Sequence, residues 1–247
     1  MNNGGYKPYE PLDTLKPIAE CVWIVDAPEI RYRVGGLTIP CPTRMTVLRL
    51  IDGSIWLHSP TKFTVALAKQ ITELGAVRFI VAPNTLHYTF VHEWATAFPD
   101  SVVYALPELA LRTKGNFPEH KLLSDAAPEM WSAVLRQIEV SSRTFSEVCF
   151  FHIPTKTLIL TDLIGNFEAD RVRSSTVRFL LRQSRCVHPH GSTSMDVRLG
   201  LLMRRKHVGA AVQQMIAWDP ERIILAHGLC YASDAKNELK RAFKWAL

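Results

Sequence analysis

The chain has 247 residues, 47% hydrophobic and 21% charged, which excludes a disordered polymer and lies within the roughly 250–300 residues that one hydrophobic core serves. Lys and Arg outnumber Asp and Glu by 29 to 23; this net charge of +6 suits anionic small molecules but is too small an excess to mark a nucleic-acid-binding protein. No stretch approaches the roughly 20 apolar residues that cross a bilayer, residues 1–7 lack the apolar core of a secretory signal, and five scattered cysteines (21, 41, 149, 186 and 230) form no C-x-x-C pair, so a reduced cytoplasmic protein without a membrane partner is expected.

Residues 1–20, rich in Gly, Pro and polar side chains, read as an irregular lead-in to a single domain over 21–247. Strand-like runs follow at Cys21–Asp26, Met45–Ile51 and Ser54–His58, the last two joined by the turn dipeptide Asp52-Gly53. Val65, Leu67, Ala68, Ile71 and Leu74 recur at helical spacing within Thr61–Leu74, and Gly75 marks the stop. The pattern then alternates: a buried-looking strand Val77–Ala82, a helix Val91–Phe98, a strand Val102–Ala105 and a short helix Pro107–Lys114. Strands return at Ile138–Val140, Val148–Ile153 and Thr157–Thr161, with Pro154-Thr155-Lys156 as a hairpin turn. Residues 168–207 are helical and basic. An amphipathic helix Val208–Trp218, a strand Arg222–Ala226 and a closing helix Ala232–Leu247 complete an α/β pattern.

Metal centres on such frameworks are built from imidazole and carboxylate at strand ends, the ligands that zinc, iron and manganese share. Three residues fit that placement: His87 after Val77–Ala82, Asp162 after Thr157–Thr161 and His227 after Arg222–Ala226.

The run Thr157–Leu163 resembles the strand and acidic ligand of metallo-β-lactamase-like hydrolases, and Ile224–Gly228 resembles the segment bearing their last histidine ligand. The runs Arg44–Val47, Trp56–Pro60, Val81–His87 and Glu147–His152 are similar to a branch of that superfamily known only as a domain of unknown function. The resemblance spans roughly residues 20–247 and implies an αββα sandwich, two mixed sheets flanked by helices. It also implies His87, Asp162 and His227 as metal ligands, with Glu147 joining them in the active site as a partner that orients a histidine ring.

The departures are informative. The superfamily's signature loop carries His-x-His-x-Asp-His; here the stretch is Pro83–Thr89, with His87 alone. A further histidine expected near 143–146 is absent. Three ligands suffice for one divalent metal (zinc, iron or manganese) and an activated water, but not for a two-metal centre.

Other candidates carry more ordinary readings. His92 and Glu93 fit a solvated helix face. His188 and His190 flank Pro189 in a loop outside the ligand positions, and Asn84 is a remnant ligand position or a hydrogen-bonding amide. The basic run Arg171, Arg173, Arg178, Arg182, Arg185, Arg198, Arg204, Arg205 and Lys206 either overhangs the site or forms a solvated face. Cys149 is a core thiol, and Cys230 lies three residues from His227. The leading expectation is a one-metal hydrolase of a small anionic substrate. The alternative is a metal-free, non-catalytic descendant that binds a small molecule or protein, its mouth filled by Tyr88 and Phe90. Nucleic acid is the weakest expected partner, and the sequence leaves the oligomeric state open.

Overall fold

The computed structural model describes residues 5–34 and 37–247. Its larger sheet runs in chain order through β1 (Lys16–Ala19), β2 (Val22–Val34), β3 (Leu37–Arg49), β4 (Ile55–His58), β5 (Val77–Ala82), β6 (Val102–Ala105) and β7 (His120–Leu122). The first four strands pair antiparallel and the last four parallel, so β4 is shared between the two patterns. The smaller sheet has β8 (Leu135–Ser141), β9 (Ser146–His152) and β10 (Thr157–Leu160) as an antiparallel meander, with β11 (Arg222–Leu225) parallel to β10.

The burial pattern shows why these residues stack in four layers. Along β5, Phe79 and Val81 face the smaller sheet, whereas Ile80 and Ala82 face the helices, so the strand is apolar on both sides and shows no polar alternation. Between the sheets lie Trp56, Phe79 and Tyr104 from one side and Val148, Phe150, Ile159 and Ile224 from the other. Trp131, from the short helix α4 (Glu129–Ser132), completes this cluster and is fully buried. Outside the larger sheet, Leu67 and Ile71 of α1 (Val65–Leu74), Val91 and Trp94 of α2 (Val91–Ala97) and Leu109 of α3 (Glu108–Arg112) cover β3 to β6. Outside the smaller sheet, Val208, Val212 and Met215 of α7 (Arg205–Ala217) and Leu239 of α8 (Ala235–Ala242) do the same. The expected αββα sandwich of two mixed sheets is the fold. Helices α5 (Ser175–Gln183) and α6 (Met195–Leu201) belong to the insertion between β10 and α7.

Local chemistry sets the ends of these elements. Thr64 caps α1 by accepting from the Leu67 amide at 3.2 Å. Gly75 ends that helix because a Cβ there would meet the Gly53 carbonyl oxygen at 2.1 Å.

The lead-in departs from the irregular reading in two places. Lys16–Ala19 forms the edge strand β1, where Pro17 is tolerated because one side has no strand to bond. Earlier, Tyr6 packs into a separate cluster with Phe167, Val172, Val177 and Leu181, and Lys7 N–H donates to the Arg171 carbonyl at 2.7 Å. The closing helix is shorter than its apolar spacing implied: Asp234, at φ 59°, starts it late, and it ends at Ala242. Helix α7 begins three residues earlier than expected, at Arg205, in a run of good helix formers. Strand β7 and helix α4 carry too little periodicity to be read from sequence.

Two buried histidines make the fold acid-sensitive. Burial, with His87 adding to it, pushes His58 down to about 3, where its ring stacks on Trp56 and meets Phe150 edge-on. Burial pushes His152 down to about 4. Histidines of an unfolded chain titrate near 6.5, so below that pH the unfolded state binds two protons that the folded state refuses. Stability should therefore fall from about pH 6.5 downward, by about 1.4 kcal/mol per pH unit for each histidine, until the folded-state values are reached. His58→Phe should remove about half of that slope in urea titrations run at successive pH values; an unchanged slope would mean that His58 is not held neutral.

Candidate metal centre

Three strand ends converge at one edge of the sandwich. Beyond β5, Pro83 and Asn84 cross toward the smaller sheet: Val148 N–H donates to the Pro83 carbonyl at 2.9 Å, and Asn84 bridges to Glu147 at the start of β9. His87 follows in the turn, Asp162 follows β10 and His227 follows β11. His87 Nε2 lies 3.2 Å from Asp162 Oδ2, His227 Nε2 lies 3.2 Å from Asp162 Oδ1, and the two Nε2 atoms are 3.2 Å apart. Among the described residues this is the one group of three His, Cys, Asp or Glu side chains close enough to share an ion.

Both rings are held from behind. His227 Nδ1 is 2.8 Å from the Pro42 carbonyl oxygen, which only accepts, so Nδ1 carries a proton and Nε2 is the nitrogen turned toward the centre. His87 Nδ1 is 2.5 Å from Ser59 Oγ, and its backbone N–H donates to Asn84 Oδ1 at 2.8 Å. Phe167 stacks nearly parallel to His227, with centroids 6.1 Å apart.

Asp162 is held by Asn84, whose Nδ2 donates to Oδ2 at 2.6 Å and to Thr161 Oγ1 at 2.9 Å. Burial alone would raise the Asp162 pKa, but the charge and hydrogen bonds of His87 and His227 outweigh it and hold the carboxyl well below the usual range. Glu147 is fully buried beside it and accepts the backbone N–H groups of Thr161 at 2.8 Å, Asp162 at 2.7 Å and Leu163 at 3.2 Å. Burial and then the Asp162 charge raise its pKa, while the donors from Thr161 and Asp162 oppose them.

The loop bearing His227 is anchored by Arg44, buried between the sheets. Its guanidinium pairs with Asp26 at 2.7 Å, and Nη1 donates to the carbonyls of Leu225 at 2.5 Å and Gly228 at 2.8 Å. Gly228 itself sits at φ 86°, and a Cβ there would lie 2.0 Å from the Asn166 carbonyl oxygen, so no other residue fits.

The three residues expected as ligands are thus brought together, while several neighbours have other roles. Glu147 orients no histidine ring; it caps the turn that carries Asp162. Asn84 is neither a ligand nor free for substrate, because its amide is spent on Asp162, Thr161 and the His87 turn. His92 is exposed, and Glu93 accepts from the Phe63 amide, away from the centre. His188 and His190 are exposed in their loop. Tyr88 and Phe90 pack against the outer cluster of the larger sheet and do not fill the mouth. Cys149 is core, its thiol pushed up by burial; Cys230 Sγ contacts Arg44 at 3.2 Å. Cys41 is also buried, burial together with the Asp162 charge pushes its thiol up to about 12, and it is not among the side chains that converge at the centre. The insertion reaches the centre through Phe167, whereas Arg171 is committed to Glu168 and to the carbonyls of Lys7 and Pro8. The supporting residues Pro42, Arg44, Ser59 and Thr161 received no role from the sequence, although Arg44, Ser59 and Thr161 lie in runs that carried the resemblance. A cavity of about 490 Å³ lies at the other end of the strands among Glu20, Arg49 and Thr155, away from these side chains.

Fold and site together define a protein of the metallo-β-lactamase fold with a His-Asp-His cluster at the fold's strand ends. Residues 20–184 match the model of the family described as domain of unknown function DUF4336, and the chain belongs to that family. No curated protein sequence matches it. Among solved structures it is similar to DIM-1 metallo-β-lactamase exposed to ceftazidime, with TM-score 0.61 and 12% identity over 95% of this chain and 97% of that one. The metallo-β-lactamase FIM-1 from Pseudomonas aeruginosa in its mono-zinc form aligns with TM-score 0.58 and 15% identity over 94% of each chain. The flavodiiron core of Flv1 from Synechocystis sp. PCC 6803 aligns with TM-score 0.62 and 13% identity, over 94% of this chain and 60% of that one.

Glu147→Gln tests the cap. An amide oxygen retains some of the backbone bonds, but its NH₂ group faces donors, so the variant should lose about 1–3 kcal/mol in urea unfolding. Zinc affinity, read by competition with a chromogenic chelator, should drop by about 10–100-fold because Asp162 is no longer fixed. An unchanged affinity would separate Glu147 from the centre.

Proposed function

We propose that this chain is a metallo-β-lactamase-like hydrolase of a small anionic substrate, with one divalent metal, zinc, iron or manganese, held by His87, Asp162 and His227. The observation that carries this reading is the triangle of ligand atoms. A tetrahedral site with ligands at about 2.0–2.1 Å has edges of about 3.3 Å, close to the separations of 3.2 Å found here. With the Pro42 carbonyl holding the Nδ1 proton of His227, Nε2 is left to face the ionised Asp162 carboxylate. The two atoms need positive charge between them, which a divalent cation supplies when bound and a proton on Nε2 supplies otherwise.

A divalent cation there supplies Lewis acidity and a nucleophilic water near neutral pH. The chain's own residues do the rest. Ser59 and Pro42 fix the ring planes, Asn84 and the Glu147 cap hold the carboxylate in register, and Phe167 shields one face of His227 from water. Glu147 takes part by position and not by touching substrate. The donor set of two imidazoles and one carboxylate suits the three candidate metals alike. An anionic substrate group would be drawn to the cation. The mono-zinc form of FIM-1 shows that a protein of this fold binds a single zinc. The reading includes one domain over residues 21–247 and, from five unpaired cysteines, a cytoplasmic setting. Among the described residues no helix is long and apolar enough to cross a membrane.

Protein purified without a histidine tag or chelator should carry about one metal equivalent by elemental mass spectrometry. His87→Ala, His227→Ala and Asp162→Asn should each lose it while keeping the far-ultraviolet circular dichroism of the parent. Loaded protein should then hydrolyse a member of an ester, amide, lactone and phosphoester panel, and the three variants should not. Metal-free parent that stays inactive after zinc, iron and manganese addition would overturn the proposal.

A further inference from the structure

The net charge of the chain is concentrated in one place. Residues 171–206 hold nine Arg and Lys side chains against a single acid, Asp196, giving +8 of a total of +6 and leaving −2 for the rest. The segment also exposes large apolar side chains. On α6 and the turn after it, Met195, Leu199 and Leu202 follow i, i+4, i+7 spacing, the stripe that a helix ordinarily buries, yet they are 52%, 60% and 43% exposed. They line a groove of about 350 Å³ whose lining also includes Gln183, Arg185 and Arg198. Met203 is 93% exposed and runs directly into Arg204, Arg205 and Lys206, all exposed. Phe179, 58% exposed, stands one turn before Gln183 on α5.

We propose that this face docks the protein on an anionic lipid surface, with Phe179, Met195, Leu199, Leu202 and Met203 entering the acyl boundary and the flanking arginines and Lys206 meeting headgroup phosphates. Apolar side chains interleaved with basic ones, with acids almost excluded, are the composition of a helix lying in a membrane interface. The sequence holds no apolar stretch long enough to span a bilayer, and a peripheral contact needs none. A second copy of the chain is disfavoured as the occupant, since two faces of this charge repel. A nucleic acid would satisfy the arginines but leave the leucine and methionine stripe against water. A single small amphiphile would fill the groove but leave Arg204, Arg205 and Lys206 outside it.

The test is flotation of the full chain with vesicles of phosphatidylcholine alone and of phosphatidylcholine mixed with phosphatidylglycerol, at low and high salt. Binding is expected to the mixed vesicles only and to weaken with salt. Arg204→Gln, Arg205→Gln and Lys206→Gln combined should lower it by about 100-fold, near fivefold for each charge lost. Met195→Gln with Leu199→Gln should lower it by about tenfold or more with every charge kept, because apolar burial contributes separately. Those side chains are exposed, so the thermal transition of the double variant should match that of the parent. Absence of binding to mixed vesicles would overturn the proposal. So would binding that ignores the Met195 and Leu199 substitutions and is displaced by duplex DNA, which would assign the face to nucleic acid. Salt-independent dimerisation lost in the Met195 and Leu199 variant would overturn it in favour of a second copy.

Discussion

The arrangement at the strand ends depends on two carboxylates buried side by side. Ionised carboxylates without partners are among the costliest groups to bury, so the surroundings of Asp162 and Glu147 are constrained more tightly than any apolar position. Glu147 is met by backbone N–H groups from one turn, Asp162 by an amide and two imidazoles. Each solution consumes a different piece of the chain. The turn after β10 bends so that its amides point at Glu147, which leaves the Asp162 side chain facing the opposite sheet. There the Asn84 turn and His87 meet it. Removing either carboxylate would strip the donors of their acceptors.

The same logic extends outward through Arg44. Its fork ties Asp26 on β2 to the carbonyls on either side of His227, so a buried ion pair couples the larger sheet to the last strand of the smaller one. Gly228 completes that loop because its backbone lies against Asn166, at the root of the insertion. Position at the centre is therefore set by rigid strands and by buried polar contacts between them. Phe167 extends the influence of the insertion to His227, while the basic helices that follow face elsewhere.

How much of this was legible in the sequence follows from the kind of interaction involved. The αββα class and most strands and helices could be read because apolar periodicity and turn dipeptides are local signals, as at β5 and Asp52-Gly53. His87, Asp162 and His227 could be named because each is a metal-ligating residue just beyond an apolar strand. The partners of those residues could not, since Ser59, Pro42 and Arg44 act through contacts between residues far apart in the chain. Glu147 was placed at the centre with the wrong partner for that reason: its sequence neighbourhood shows a strand start and says nothing about the amides of Thr161–Leu163. Strand β1 was hidden by Pro17, and the unburied stripe on α6 has the spacing of a buried one; only the fold shows that nothing covers it.

The three converging side chains stand 140 residues apart along the chain at their extremes, from His87 to His227. As the polypeptide leaves the ribosome, the first sheet and its helices can assemble while the centre still lacks its final imidazole. That ring arrives with β11, whose parallel pairing with β10 is among the slowest kinds of contact to form because a long crossover must close first. The last strand in chain order is therefore also the one that closes the triangle, and an ion taken up by all three residues would mark chains in which it has docked.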